Sequence, residues 1–422
     1  MGSEHLILIL FIVAYLFFII FPKKRTIAAV SCSLLAIILA RVPLSTAFSS
    51  VDWNVMGIFV GTLVVADIFM LSRAPAFLAE RLVLHVQDAR WAILLICALT
   101  GFISAFVENV ATVLLIVPVA LTLSERLDID PVPLLIAIAI SSNLQGTATL
   151  IGDPPSMLLA SFARMNFNDF FVLQGKPGIF FAVEIGALSA FLVLFVLFRK
   201  EKRKITINPH ERVTSWTPTW ILITLIVLLA LSSSFDHELS AYLPGVICML
   251  CGGISLIWIF SRKLSPLDSI RRLDWDTTFF IISVFILVGI LVREGWMTVL
   301  AEWIHHQAGS NKLGIFLIII TVAMLFSAFV DNIPFIITMM PVVQSISSKG
   351  GFPLHLLLFG LLIGSCLGGN ITPIGASANI VATGILQKRG EDVSFCRFVR
   401  IGLPFTLAAV IPAAVFIWIF WA

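Results

Sequence analysis

Long apolar segments recur along almost the whole sequence, from Leu6 to Trp421, with short polar breaks between them. Hydrophobic residues make up 59% of the 422 residues and charged residues only 12%, against about 45–50% and 25% in soluble globular proteins. One soluble core cannot absorb so many apolar runs, whereas a bilayer can. The sequence therefore predicts an all-α integral membrane protein. A nucleic-acid partner is not expected, because the basic residues cluster at segment ends.

About ten segments have the composition of a membrane span, which needs about 20 predominantly apolar residues. The first lacks the charged leader and cleavage site of a signal peptide, so we expect it to be retained. Two further stretches, 91–123 and 312–347, are too long for one crossing, and each could form two spans or a re-entrant hairpin. The expected spans are 6–21, 27–43, 53–71, 132–163, 178–198, 219–235, 242–260, 276–292, 353–387 and 401–421.

The two halves of the chain repeat one another. Asp52-Trp53 matches Asp274-Trp275 at a spacing of 222 residues. After a slip of one residue, 104–109 matches 327–332, and the spacing of 223 then relates Gly146, Thr149 and Gly152 to Gly369, Thr372 and Gly375. A register held over this length predicts an internal repeat, with halves at 1–198 and 219–422 joined by a linker at 199–218.

The charges indicate how the halves insert. If each long stretch is a hairpin, each half has five crossings, so the halves have opposite orientations. On that arrangement 21 of the 27 Lys and Arg residues lie on one side and 6 on the other. The positive-inside rule then places both termini outside the inner (plasma) membrane and the linker 199–218 in the cytoplasm. The charges do not distinguish hairpins from paired spans.

Two expected spans contain segments unsuited to a continuous helix. Gly-Thr-Ala-Thr-Leu-Ile-Gly-Asp-Pro-Pro-Ser occupies 146–156, and Gly-Gly-Asn-Ile-Thr-Pro-Ile-Gly-Ala-Ser-Ala-Asn occupies 368–379. Gly lowers helix propensity and Pro removes a backbone donor, so both spans should unwind and expose carbonyls to a ligand. Their equivalent positions indicate a transport site. The alternative is a pair of kinks for close helix packing.

Three acidic residues lie inside apolar stretches. Glu108 and Asp331 are equivalent in the repeat, whereas Asp153 stands where the second half has Ala376. A charged side chain costs about 2.5–3.5 kcal/mol at the centre of a span on insertion scales, so it usually faces a cavity. We expect Asp153, Glu108 and Asp331 to handle protons. The alternative roles are caps of the hairpin turns and of the helix at 154.

Other chemistry is not expected. Cys248 and Cys251 form a C-x-x-C inside an apolar span, where packing is the common role, and the pair His305-His306 has no acidic cluster beside it. We therefore expect no metal site and no cofactor. The sequence has no H-E-x-x-H, Gly-x-Ser-x-Gly or phosphate-loop motif, which argues against an enzyme. Energy would come from an H⁺ or Na⁺ gradient or from an external partner.

The motifs at 104–110, 146–156, 330–335 and 368–379 resemble the ion transporter superfamily, within the branch of arsenite permeases, sodium/proton antiporters and the melanosomal P protein. The likeness covers nearly the whole chain. It departs from the pattern at Glu108, where the branch usually has Asp, and at Ser156, where it usually has Asn. The resemblance implies an inverted repeat of five transmembrane helices plus one re-entrant hairpin in each half, with two unwound helices. It also implies a homodimer in which a transport domain slides against a scaffold.

The resemblance further implies the residues that line the substrate and ion sites: Asn109, Thr149, Asn332, Asn370, Thr372 and Asn379. To these we add the three acids and the hydroxyl residues Thr147 and Ser377 of the unwound segments. The branches of the superfamily move dicarboxylates, sulfate, arsenite, silicic acid or sodium, so the fold does not settle the substrate.

The charges of the expected site narrow the substrate. Its hairpin tips carry Glu108 and Asp331, and none of the four motifs contains Lys or Arg to offset them. Two carboxylates beside a dianion would repel it strongly at low effective dielectric. We therefore expect proton-coupled efflux of arsenite or a similar small uncharged weak acid, with sodium/proton antiport as the alternative. A small-anion or dicarboxylate symporter and a passive channel fit less well. The expected partners are lipid, the solute and its coupling ion, a second copy of the chain and a cytoplasmic ATPase subunit at the basic linker.

Overall fold

The computed structural model describes residues 3–21, 24–86, 88–203, 212–235, 237–300, 302 and 311–422. The pair His305-His306 and the centre of the linker, 204–211, lie outside these residues. The described first half is formed by α1 (Ser3–Ile20), α2 (Arg25–Leu39), α3 (Leu44–Ser49), α4 (Trp53–Leu71), α5 (Ala74–Leu84), α6 (Ala89–Ser104), α7 (Asn109–Leu127), α8 (Pro131–Gly146), α9 (Pro154–Phe162) and α10 (Ile179–Leu197). A two-stranded antiparallel hairpin, β1 (Val172–Leu173) and β2 (Lys176–Pro177), precedes α10.

The described second half is also helical. Its elements are α11 (Thr217–Ser232), α12 (His237–Ser261), α13 (Pro266–Arg272), α14 (Trp275–Arg293), α15 (Lys312–Ser327), α16 (Asn332–Gly350), α17 (Leu354–Gly368), α18 (Ser377–Lys388) and α19 (Phe395–Trp421).

Seven of the described helices are long and apolar enough to cross a membrane, namely α4, α7, α10, α12, α14, α17 and α19, and six shorter apolar helices accompany them. The expected spans 132–163 and 353–387 each consist of two helices, because the chain leaves the helix after Gly146 and after Gly368. The stretches 91–123 and 312–347 also divide, at 105–108 and at 328–331. The helix breaks thus coincide with the four sequence motifs.

The helices pack in two groups, and the most extensive helix contacts lie within each group. The first group is α1, α2, α4, α11, α12 and α14, and the second is α6–α10 with α15–α19. The groups meet where α14 contacts α16 and where α4 contacts α7 and α9. All four broken helix pairs belong to the second group, so the candidate site is built mainly by that group.

The packing of α4 on α12 explains the C-x-x-C. A Cβ added at Gly61 would collide with the backbone of Cys248, so the two helices touch at the level of their main chains. Cys248 and Cys251 are free thiols buried at this contact. The cysteine pair therefore packs α12 against α4, and the described residues contain no group of three metal-ligating side chains.

Candidate functional site

The ends of the broken helices line a cavity of about 50 Å³. This volume is comparable to that of one or two water molecules. Both halves of the chain contribute to its wall. Besides the broken helices, α4 of the first half and α14 of the second half supply residues. Six of the expected site residues line it, namely Glu108, Asn109, Asp153, Asp331, Asn332 and Ser377. The wall also contains residues that the sequence analysis did not assign to the site, among them Phe59, Asn143, Asp274 and Thr277.

Each of the three acids caps a helix with one carboxylate oxygen. Glu108 accepts a hydrogen bond from the Ala111 amide at 2.9 Å at the start of α7. Asp331 accepts one from the Ile333 amide at 3.1 Å at the start of α16, and Asp153 accepts one from the Ser156 amide at 2.9 Å at the start of α9. Caps of this kind satisfy amides that the first helical turn leaves unpaired. The structural alternative for these acids therefore holds, but it uses only one oxygen of each.

One carboxylate oxygen of Asp153 caps α9, and the other lacks a hydrogen-bond partner among the described residues. Asp153 is 2% exposed, and its Oδ2 atom is buried without a partner among the described residues. The side chains of Thr147 and Cys366 lie beside the carboxyl group. Burying a charged oxygen without a partner is costly, and a proton or a cation at this oxygen would remove that cost. Asp153 is thus the acid of the cavity best placed for either.

A chain of buried amides, two of which line the cavity, links the two halves. Asn109 donates from Nδ2 to Asn143 Oδ1 at 3.3 Å, and Asn143 in turn donates to Asn370 Oδ1 at 3.0 Å and to the Cys366 carbonyl at 2.8 Å. Asn370 itself is fully buried. Sequence reasoning missed Asn143, although amide side chains inside the apolar span 132–163, here Asn143 and Gln145, are a usable signal.

The threonines of the unwound segments hold the neighbouring tips. The Thr149 hydroxyl donates to the Ala105 carbonyl, and the equivalent Thr372 hydroxyl donates to the Ala328 carbonyl. Both are buried behind the cavity wall in this conformation. These hydrogen bonds fasten each helix break at 105–108 and 328–331 to the unwound segment of the same half.

Asn379 plays a similar part and retains one free acceptor. Its Nδ2 atom donates to the carbonyls of Gly369 at 2.9 Å and Thr372 at 3.0 Å. Its Oδ1 atom is buried without a partner among the described residues. In the first half the equivalent position, 223 residues earlier, is Ser156, whose hydroxyl donates to the Thr147 carbonyl at 3.4 Å. The unwound segments thus present a second unpaired oxygen besides that of Asp153.

Arg25 corrects the expectation that no cation offsets the acids at the tips. Its Nη1 atom donates to Asp331 Oδ2, in an ion pair whose side chains are 13% and 16% exposed. Its Nη2 atom donates to the Thr277 hydroxyl at 3.2 Å. Sequence reasoning missed this contact because Arg25 ends a Lys-Lys-Arg cluster, which is typical of a cytoplasmic loop. Only the fold brings it to an acid 306 residues away.

Comparison with known proteins identifies relatives along almost the whole chain. The sequence model of the CitMHS family, described as a citrate transporter, matches residues 15–364. A 46 kDa membrane protein of Mycobacterium leprae is 29% identical over 418 residues, covering 97% of each chain. A Synechocystis protein named as an uncharacterized transporter is 28% identical over 390 residues, covering 88% of this chain and 86% of its own. The human P protein is 27% identical over 478 residues, covering 90% of this chain and 55% of its own.

A solved structure shares the fold. The crystal structure of the YdaH transporter of Alcanivorax borkumensis superposes with a TM-score of 0.59 at 12% sequence identity, covering 91% of this chain and 88% of that one. The P protein match confirms the family resemblance drawn from the motifs. Because the relatives are transporters, the prediction that the chain is not an enzyme is also confirmed. The chain is a multi-pass membrane transporter that belongs to the CitMHS family.

Proposed function

We propose that this transporter moves a small solute without net negative charge in exchange for protons, and that Asp153 carries the exchanged proton. The observation that carries the proposal is the buried, unpaired Oδ2 atom of Asp153 at the cavity. A proton or a cation at this oxygen would remove the cost of burying its charge. Glu108, whose second oxygen makes no ion pair in the described part of the chain, is a further proton carrier of the same cavity.

Arsenite is our first candidate solute. Arsenous acid is small and uncharged at neutral pH, and its hydroxyl groups suit amide, hydroxyl and carboxylate oxygens. The cavity of about 50 Å³ supports a small solute. Efflux would then be driven by proton entry.

Sodium is the second candidate, because the unpaired carboxylate oxygen of Asp153 at the cavity is a typical ligand of a hard cation. Sodium/proton antiport would use the same carboxylates.

The family description raises citrate as a third solute. Citrate carries up to three negative charges and would meet Glu108 and Asp153, while Arg25 is already paired with Asp331. At low effective dielectric this arrangement repels an anion. We therefore expect no proton flux with citrate alone.

An elevator mechanism fits the arrangement of the helices. Under this proposal the chain is an inverted repeat with two re-entrant hairpins, α6–α7 and α15–α16, and works as a homodimer. The equivalent Thr149 and Thr372 hydrogen bonds support the repeat. The division into two packed groups supports a moving second group that carries the site past the first group. Alternating access then requires the contacts of α14 with α16 and of α4 with α9 to change.

The test uses purified protein in liposomes that contain a pH dye, with arsenite, sodium and citrate pulsed separately. We expect an arsenite-dependent pH change in the wild type and none in Asp153→Asn, since Asn can still cap Ser156 but cannot release a proton. Asp128→Asn is the matched control, because the Asp128 side chain is 99% exposed.

A sodium-specific signal would replace arsenite with sodium and keep the role of Asp153. A citrate-specific signal would overturn the charge argument. Full coupling in Asp153→Asn would contradict the proton role itself.

A further inference from the structure

The two helix tips of the cavity carry equivalent acids in unequal surroundings. Asp331 is ion-paired with Arg25, whereas Glu108 has no ion pair within the described residues. The repeat itself does not supply a second arginine, because the residue 222 positions after Arg25 is Ile247. At these two equivalent points of the cavity, the second half has a carboxylate paired with an arginine, and the first half has a carboxylate without an ion pair among the described residues.

Arg25 is held on several sides. One guanidinium nitrogen binds Asp331, and another binds the Thr277 hydroxyl at 3.2 Å. Thr277 donates that hydroxyl to Asp274 Oδ2 at 2.6 Å. The guanidinium carbon lies 4.8 Å from the centre of the Phe280 ring, within the range of a cation–π contact. Every one of these partners except Asp331 belongs to the start of α14.

The other charges near Arg25 are also acidic. Asp274 and Asp276, at the start of α14, add negative charge around the guanidinium. An arginine in such surroundings stays positively charged, and its planar fork suits a carboxylate better than the ammonium of lysine does. Asp331 then has one oxygen on the Ile333 amide and the other on Arg25. Both oxygens of Asp331 therefore have a hydrogen-bond donor, whereas Asp153 Oδ2 has none among the described residues.

From this geometry we infer that Arg25 is a positioning residue that withdraws Asp331 from ion exchange, so that only Glu108 and Asp153 of the three acids exchange protons or cations. The inference rests on the proposed function for the exchanging pair, but the state of Asp331 can be measured without transport. It assigns Asp331 a fixed negative charge in this conformation. In this conformation the ion pair joins α2 and the start of α14, in the first helix group, to a helix tip of the second group.

A carbodiimide reports directly whether Asp331 is protonated, because the reagent reacts with protonated carboxyl groups in apolar surroundings. Full-length protein in detergent is treated with dicyclohexylcarbodiimide at pH 7, and the labelled peptides are quantified by mass spectrometry. We expect little label on Asp331 in the wild type. In Arg25→Gln the label on Asp331 should rise about tenfold, because the carboxylate loses its charged partner.

Two further variants make the series graded. Arg25→Lys keeps the charge and should hold the label on Asp331 near the wild-type level. Thr277→Val removes one hydrogen bond of Arg25 and should give an intermediate value, which keeps the inference testable where Arg25→Gln does not fold. Asp331→Asn identifies the labelled site, because its peptide should carry no label.

The outcomes separate the inference from the proposed function. Wild-type Asp331 that reacts as readily as it does in Arg25→Gln would overturn the role of Arg25. Thr277→Val replaces Arg25→Gln where only the former folds. In that case a label on Asp331 equal to the wild-type value in Thr277→Val would also overturn the role of Arg25. Label missing from both Glu108 and Asp153 would count against the proton carriers of the proposed function, while the comparison at Asp331 would still decide the role of Arg25.

Discussion

At the scale of single residues, three carboxylates share one structural task and differ in the rest. Each places one oxygen on a helix-start amide, so all three fix the geometry of the cavity. The other oxygen is bound to Arg25 in Asp331 and is buried and unpaired in Asp153. Each acid can therefore cap a helix with one oxygen and, in the proposed function, leave the other for a proton or a cation. The three acids differ in what surrounds this second oxygen.

Substitutions at Glu108 distinguish charge from capping. Gln keeps the length and the carbonyl that can accept from Ala111, whereas Asp keeps the charge on a shorter side chain. If the charge exchanges protons, Glu108→Asp should retain more proton-coupled transport than Glu108→Gln, and both should fold. Initial rates of the pH-dye signal at equal protein in the liposomes measure the difference. Equal rates in Glu108→Asp and Glu108→Gln would show that Glu108 acts only as a helix cap.

At the scale of elements, the helix breaks depend on glycines that let two segments of main chain touch. A Cβ at Gly375 would lie 2.6 Å from the Gly369 carbonyl oxygen and 2.8 Å from the Ser327 carbonyl oxygen. A Cβ at the equivalent Gly152 would meet the Gly146 carbonyl in the same way. The unwound segments therefore fold back tightly on the helix ends, and the Thr149 and Thr372 hydrogen bonds close the contact.

Gly375→Ala should accordingly destabilise the protein. Overpacking of this kind typically costs about 1–3 kcal/mol, and the unfolding temperature in detergent should fall. Gly384→Ala is the matched control in α18, where a Cβ would meet nothing within 4 Å. Because Ala is favoured over Gly inside a helix by about 1 kcal/mol, the control should be neutral or more stable. Equal unfolding temperatures for the two variants would refute the close contact.

At the scale of the whole molecule, the positive-inside rule and the repeat predict opposite orientations for the two halves. The natural cysteines offer a direct test, because among the six only Cys396 is exposed and the other five are buried. In the predicted topology Cys396 lies on the cytoplasmic side, before α19 crosses to the outside.

A membrane-impermeant maleimide should therefore not label the wild-type protein in intact cells. In inverted membrane vesicles the same reagent should label Cys396. Ser348→Cys, an exposed position near the end of α16, should become labelled in intact cells. The reverse pattern would invert the topology and would place the linker 199–218 outside. This measurement depends neither on the solute nor on the proton carriers.

The sequence by itself determined a large part of this protein. Apolar run lengths gave the helical membrane protein, and Gly, Pro and acidic residues inside the runs located the four helix breaks, because their effects on a helix are local. The same motifs indicated the family and six residues of the cavity wall. The repeat, the hairpins and the topology remain predictions from that same local and periodic information.

The tertiary structure decided which groups meet. It joined Arg25 to Asp331 across 306 residues, linked Asn109 to Asn370 through Asn143, and brought Asp274 and Thr277 of α14 to the cavity. No local pattern encodes these contacts, because an arginine in a basic cluster and an amide in an apolar span look the same whether or not a partner faces them. Charge pairing and burial are properties of the packed chain, so the electrostatics of the site became visible only in the fold.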